Sequence, residues 1–429
     1  MRFQRLLSAS AVIAFSFSFI AGLSLPSDIQ AQTVYTWQQC VDEAKNKHPD
    51  LISAREGINQ SEANKTIMES GLFPQIDSGV SAASSKSASA DPTEKYSYGL
   101  TGSQLLFDGF KTAHQIKEAQ QNLWGSQFSY RVISSNVRLR LRNAFIQLLK
   151  EQGLSKITSE IAARRQESLK LVGLRYEAGR EHKGALLTAK ANLAQAEAEV
   201  SQAQRNLTLA QWRLSKEMGG KQLIPIQAQG DFEVTDSQPE QPDFEQLAET
   251  VPFLRELIAR KEAAKYGLRS AKADYFPEVF ADANISRSES RWPPGDESWS
   301  AGVRMTLPIF DGGNRKASVK KAESFFIQAK AQERSGRDGV ILTLHEAWAR
   351  LQDALDNIQV QEKILESAEV RAKIGEAQYS NGLISFDDWI IIEDALVRTK
   401  KSFLEAQADA LTAEASWIQA KGRILDDEI

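Results

Sequence analysis

Apolar residues fall on alternate positions through 279–285 and 299–307, and more weakly through 76–82 and 96–100, but return every three or four positions through 186–214, so the chain changes hydrophobic period along its length. From Trp299, the apolar set Trp299, Ala301, Val303, Met305 and Leu307 alternates with Ser300, Gly302, Arg304 and Thr306, which predicts a strand. Val279, Ala281, Ala283 and Ile285 alternate likewise with Phe280, Asp282, Asn284 and Ser286. Ile76, Val80 and Ala82, then Tyr96, Tyr98 and Leu100, repeat the arrangement more weakly. Two hairpins follow, closed by the turn-rich loops "KSASADPTEK" and "SRWPPGDES". Strands of about ten residues with one apolar face fit a transmembrane barrel, and they also fit a two-faced soluble hairpin.

The rest reads as helix. Leu186, Ala189, Leu193, Ala196, Val200, Ala203, Leu207, Ala210 and Leu214 hold a heptad seam for about four heptads. Residues 112–178 lack proline and are rich in Gln, Glu, Ala, Leu, Arg and Lys, which predicts one helix roughly 100 Å long at 1.5 Å per residue. Gly179 ends it.

The whole pattern is then stated a second time, 203 residues on. Phe73-Pro74 returns as Phe276-Pro277 (276 − 73), Phe107-Asp108-Gly109 as Phe310-Asp311-Gly312 (310 − 107), and Tyr176 with Gly179 as Tyr379 with Gly382 (379 − 176). The seam returns too, as Trp389, Ile392, Leu396, Thr399, Phe403, Ala406, Ala410, Ala413 and Trp417, with only Thr399 off pattern. One offset held without a gap implies a tandem duplication of a large unit, with a period far too long for a solenoid. The predicted organisation is a signal peptide at 1–31, a first repeat at 32–218, a connector at 219–243, and a second repeat with a short tail at 244–429. Two strands per repeat give four per chain, which leaves open edges and cannot close a barrel alone.

Composition narrows the setting. Residues 1–31 carry Arg2 and Arg5, an apolar run from Leu6 to Leu23, and a small-residue cleavage pattern at Ile29, Gln30 and Ala31, so they read as a secretory signal; a membrane anchor is the alternative. Without Arg2, Arg5 and Asp28 the formal charge passes from −4 to about −5, which recommends no nucleic-acid partner. The one cysteine, Cys40, follows Trp37, Gln38 and Gln39 and reads as a buried helix thiol rather than a lipid anchor. No later segment offers about 18 consecutive apolar residues, so a membrane crossing would have to use strands. Chemistry is scarce: His345-Glu346 opens like a zinc-protease helix, but Ala349 stands where the second histidine is needed. His48, His114 and His182 converge on no metal spacing, and neither a phosphate-binding glycine loop nor a GxSxG elbow is present, so no catalytic residue, metal or cofactor is expected.

Taken together, the paired "FP" strand entries, the paired "FDG" strand exits, the "RYEAG" and "QYSNG" turns and the twofold repeat resemble the TolC-like outer-membrane efflux proteins over roughly residues 36–422. The resemblance implies a mainly α chain with a transmembrane β portion. It implies a homotrimer whose twelve strands form one barrel in outer-membrane lipid and whose twelve helices form a periplasmic tunnel. The function implied is an exit duct that exports small molecules or polypeptides, docked to a periplasmic adaptor and an inner-membrane transporter. The rival reading is a periplasmic coiled-coil scaffold without a pore.

On the same resemblance, Asp108 and Asp311 cap the helices that follow the strands, Gly109, Gly312 and Gly313 permit the tight backbone there, and these residues are architectural. The glycine turns form the adaptor-contact tip, through Gly382, Leu383 and Ser385 in the second turn. The first turn, from Gly179 to Lys183, departs from the family pattern. Asp388, with Asp387 beside it, falls where some family members place a ring of aspartates at the narrow tunnel end, and Tyr379 is expected to supply a hydroxyl to the closed aperture. Ala185 stands where the family often has a polar partner, so the closing bonds must differ here. The short connector predicts a small equatorial belt.

Overall fold

The computed structural model describes residues 33–86, 92–220, 225–232, 234 and 241–427. Along them run β1 (Thr33–Thr36), α1 (Trp37–Lys47), α2 (Pro49–Ser70), β2 (Gln75–Ser85), β3 (Thr93–Phe107), α3 (Lys111–Glu177) and α4 (Lys183–Glu217). There follow β4 (Ile226–Gln229), α5 (Phe244–Ala248), α6 (Pro252–Ala273), β5 (Glu278–Glu289), β6 (Glu297–Thr306), α7 (Asn314–Ser380), α8 (Phe386–Ala420) and a closing 3-10 helix (Leu425–Asp427). The predicted signal peptide at 1–31 lies outside the described residues, as do 87–91 of the first hairpin loop and 221–224, 233 and 235–240 of the connector.

The two long helices have 67 residues each, about 100 Å of helix at 1.5 Å per residue. Each starts from a left-handed residue, Phe110 before α3 and Gly313 before α7, and is capped from two positions further back. Asp108 accepts from the Thr112 amide at 2.7 Å and its hydroxyl at 2.6 Å, while Asp311 accepts from the Arg315 amide at 3.0 Å. A carboxylate at that end also suits the positive pole of the helix dipole. Both long helices stop at a left-handed glycine, Gly179 or Gly382, where the backbone reverses.

Four helical columns result. α3 and α7 each form one column unbroken, whereas the other two are built end to end. The end of α4 meets the start of α2, where a Cβ on Gly219 would lie 2.6 Å from the Lys47 carbonyl. The end of α8 meets the start of α6, where a Cβ on Gly422 would lie 2.2 Å from Pro252. Both glycines have positive φ, so the joints need glycine for space and for conformation. Around the joints lie the largest buried clusters. Cys40, Val41, Leu51, Val137, Leu141, Phe145, Leu148, Leu214 and Ile226 form one; Phe244, Leu344, Leu351 and Trp417 belong to the other. The parallel pair β1–β4 sits beside the first cluster, an element that the sequence pattern did not reveal.

Cys40 is a fully buried thiol within α1, as its sequence context predicted. His345 lies in α7 with its ring 3.9 Å from that of Phe244.

The four remaining strands form one antiparallel sheet in the order β2-β3-β5-β6. Cross-strand partners share a face. Val80 pairs with Tyr98, Leu100 with Ile285, Ile285 with Trp299 and Ala281 with Val303, so one face is apolar. The other face carries Ser81 bonded to Ser97 (2.7 Å), Thr101 to Asn284 (3.2 Å), Ser103 to Asp282 (2.9 Å) and Arg304 to Asp282 (3.1 Å). Among the described residues no helix is long and apolar enough to cross a membrane.

Candidate functional site

At the end of the columns away from the sheet, α3 turns into α4 and α7 into α8. The two turns close by one device. Gly179 donates to Tyr176 at 2.9 Å and Arg180 to Arg175 at 2.8 Å; Gly382 donates to Tyr379 at 2.9 Å and Leu383 to Gln378 at 2.9 Å. These two bonds satisfy the last carbonyls of each long helix. The return helices are then capped differently. His182 Nδ1 accepts from the Ala185 amide at 3.1 Å, while Ser385 Oγ accepts from the Asp388 amide at 3.1 Å and donates to the Asp388 carboxylate at 2.6 Å.

Behind the turns lies an apolar plug of Val172, Ala185, Ala189, Tyr379, Phe386 and Trp389. Tyr379 is fully buried, stacked on Trp389 with ring centroids 4.5 Å apart and met edge-on by Phe386 at 6.2 Å. The Arg175 guanidinium lies 4.7 Å from the centre of the Tyr379 ring and donates to the Tyr379 carbonyl at 2.8 Å. The Tyr379 hydroxyl donates to Glu181 at 3.0 Å. Burial, reinforced by that carboxylate, pushes the phenol well above its ordinary pKa, with Arg175 pulling the other way. The hydroxyl is thus a donor at any physiological pH.

The remaining candidates are on the surface. Leu383 is 73% exposed at the point of the second turn, and Gly179, Gly382, Ser385, Asp387 and Asp388 are exposed beside it. The structure gathers all the sequence-selected residues at one end, with Tyr379 inside and the others outside. Sequence reasoning missed Glu181 and Arg175, whose partners are 198 and 204 residues away. The one available signal was the charged first turn that breaks the expected pattern.

Above the plug, charge holds α3 against α8. Arg164 donates to the buried Glu393 at 2.9 Å, Arg165 pairs with Asp394, and Lys150 donates to Glu405 at 2.6 Å. Lys401 of α8 reaches Glu199 of α4 at 2.7 Å. Removing one member of such a pair leaves a buried charge unmatched, at a cost of about 3–5 kcal/mol for a fully buried pair. Partial exposure of Arg164 and Asp394 lowers that figure here.

A sheet with one apolar and one polar face is carried at one end of four helical columns, which finish at the other end in a pair of turns. The outer membrane efflux protein profile matches residues 40–220 and 244–425, and the chain belongs to that family. It is similar to the outer membrane efflux protein BepC of Brucella suis, 22% identical over 90% of this chain and 84% of that one. It is similar also to the probable outer membrane lipoprotein SilC of Salmonella typhimurium, 22% identical over 89% of this chain and 84% of that one. Its fold resembles the outer membrane protein VceC of Vibrio cholerae, with a TM-score of 0.79 at 19% identity, covering 90% and 96% of the two chains. The protein is an outer-membrane exit duct, and the reading as a scaffold without a pore is not favoured.

Proposed function

We propose that three copies of the mature chain make one duct, in which three four-stranded sheets close a twelve-stranded barrel in outer-membrane lipid and twelve helical columns form the periplasmic tunnel. The observation that carries this is the sheet: apolar on one face and polar on the other, with β2 and β6 as edges that find no partner among the described residues. Open edges are not tolerated in hydrocarbon, and closure by other copies removes them. Val360, Ile364, Val370 and Ile374 of α7, each 44–55% exposed at helical spacing, support burial of this flank by a neighbouring subunit.

In this reading 1–31 is a signal peptide, 32–218 and 244–429 are two repeats, and 219–243 is an equatorial connector. The polar face lines the lumen. The turn around Gly382, Leu383 and Ser385, with Gly179, docks a periplasmic adaptor, which in turn couples the duct to an inner-membrane transporter. Asp388 and Asp387 surround the aperture, and the Tyr379–Glu181 bond holds it narrow. No cofactor and no catalytic step is required.

The test is native mass spectrometry of the detergent-extracted mature protein, with extraction of membranes by urea as the companion measurement. A trimer that resists urea and needs detergent is expected. Monomers that conduct in planar bilayers would end the closed-barrel reading.

A further inference from the structure

The two halves of the chain are related by a constant offset. Four pairs of equivalent elements start 203 residues apart: α2 and α6 at Pro49 and Pro252 (252 − 49), β2 and β5 at Gln75 and Glu278 (278 − 75), α3 and α7 at Lys111 and Asn314 (314 − 111), α4 and α8 at Lys183 and Phe386 (386 − 183). Within the chain, one strand of the first half, β3, already pairs with one of the second half, β5. Moved by 203 residues, β3 falls on β6 and β5 falls on β2, the two edge strands of the sheet. In the β3–β5 pairing Gly102 faces Ala283, Thr101 faces Asn284, Leu100 faces Ile285 and Tyr98 faces Arg287.

Resting on the reading of a closed multi-subunit duct, we propose that β6 of one copy pairs antiparallel with β2 of the next in the register obtained by moving those pairs 203 residues. Met305 then faces Val80, Arg304 faces Ser81, Val303 faces Ala82 and Ala301 faces Ser84 of the neighbouring copy. Three features agree with this register. The first is the faces: Met305, Val303, Val80 and Ala82 all belong to the apolar side and Arg304 and Ser81 to the polar side, whereas a slip of one residue would bring opposite faces together.

The second is where the ladder stops. The β3–β5 register shifts between Leu105 and Phe107. Position 105 moved by 203 is Pro308, which lacks an amide and ends a ladder at the same level by other means. β6 accordingly ends at Thr306.

The third is the contact below the sheet, which separates this register from slips of two residues that keep the faces matched. Gly109 packs so closely on Phe276 that a Cβ there would lie 2.4 Å from the Cβ of that phenylalanine. The moved pair is Gly312 and Phe73. Gly312 has the same left-handed backbone, with φ +64° against +66°, yet among the described residues nothing lies within 4 Å of its Cβ position. Phe73 is 64% exposed. The neighbouring copy's Phe73 fills the place over Gly312 that Phe276 fills over Gly109. A slip of two residues displaces the strand by about 7 Å and removes this contact.

Double-cysteine variants test the register. In one chain β2 and β6 are separated by three strand spacings, about 14 Å, beyond the reach of a disulfide, so any bond between them joins two copies. Ala82→Cys with Val303→Cys is expected to give a covalent trimer on non-reducing gels, while Ala82→Cys with Ala301→Cys or with Met305→Cys is not. Phe73→Ala is expected to lower the temperature at which the trimer dissociates, while Trp292→Ala, similarly exposed but in the hairpin loop, leaves it unchanged. A trimer by native mass spectrometry that cross-links only in a slipped pair, or in none, overturns the register and leaves the duct standing. Monomers with no cross-link in any pair overturn both.

Discussion

Tyr379, at the end of α7, donates a 3.0 Å hydrogen bond to Glu181, which lies in the loop before α4. Its ring is clamped between the Trp389 indole at 4.5 Å and the Arg175 guanidinium at 4.7 Å. The two turns of the tip are thereby tied through one phenol.

If that bond keeps the aperture narrow, Tyr379→Phe removes it while keeping the stacked ring. A hydrogen bond to a charged group contributes about 1.5–3 kcal/mol, so the closed state should lose about tenfold to a hundredfold in population per subunit. Single-channel recording should show more frequent wide openings. Unchanged conductance would show that the bond is only structural.

Leu383 is the most exposed apolar side chain of the second turn. Leu383→Glu should abolish export by complemented cells and leave the trimer intact in detergent. A burial lost on one such side chain is about 1.5–3 kcal/mol, at least tenfold in adaptor affinity. Undiminished export in the variant would place docking elsewhere.

Asp388 is exposed and held by Ser385, so three copies would set three carboxylates around the aperture. Asp388→Asn should reduce cation selectivity in planar bilayers and weaken block by trivalent cations from the periplasmic side. Because Asn retains a side-chain acceptor for Ser385, folding should be little changed. Equal selectivity before and after substitution counts against the ring.

His48 caps α2 at the joint with α4, and burial holds its pKa below the usual histidine value. A depressed histidine binds fewer protons folded than unfolded, so its contribution is intact above the ordinary value near 6.5 and is lost as pH falls below it. Thermal unfolding should shift downward between about pH 7 and 5. His48→Asn keeps a capping side chain and should flatten that slope in part, since His114 is shifted in the same direction. An identical slope in the variant would exclude His48.

The Cys40 thiol is fully buried and pushed up to about 12, chiefly by desolvation. Alkylation at pH 8 should be slower than for a free thiol by about three orders of magnitude and become fast on denaturation. Rapid labelling of the folded protein would contradict the packing of α1.

The architecture was legible because its signals are periodic and local. Alternation at Trp299–Thr306, the proline-free runs that became α3 and α7, and glycines at 179 and 382 each act within a few residues or repeat at fixed spacing. The 203-residue offset made each signal visible twice. Asp108 and Asp311 could be read as caps for the same reason, since the amides that donate to them are four residues away.

The joints were not legible. β1 and β4 are four residues each, too short for a period, and pair only because the ends of α4 and α2 are brought together around Gly219. The tip shows the same limit at the scale of one bond. The sequence led to the expectation of a hydroxyl contribution from Tyr379, but which acid receives that hydroxyl depended on two helices of different halves ending at the same height. Glu181 has no local mark as a partner, because a contact across 198 residues is decided by the rigid length of the columns and not by the residues beside it.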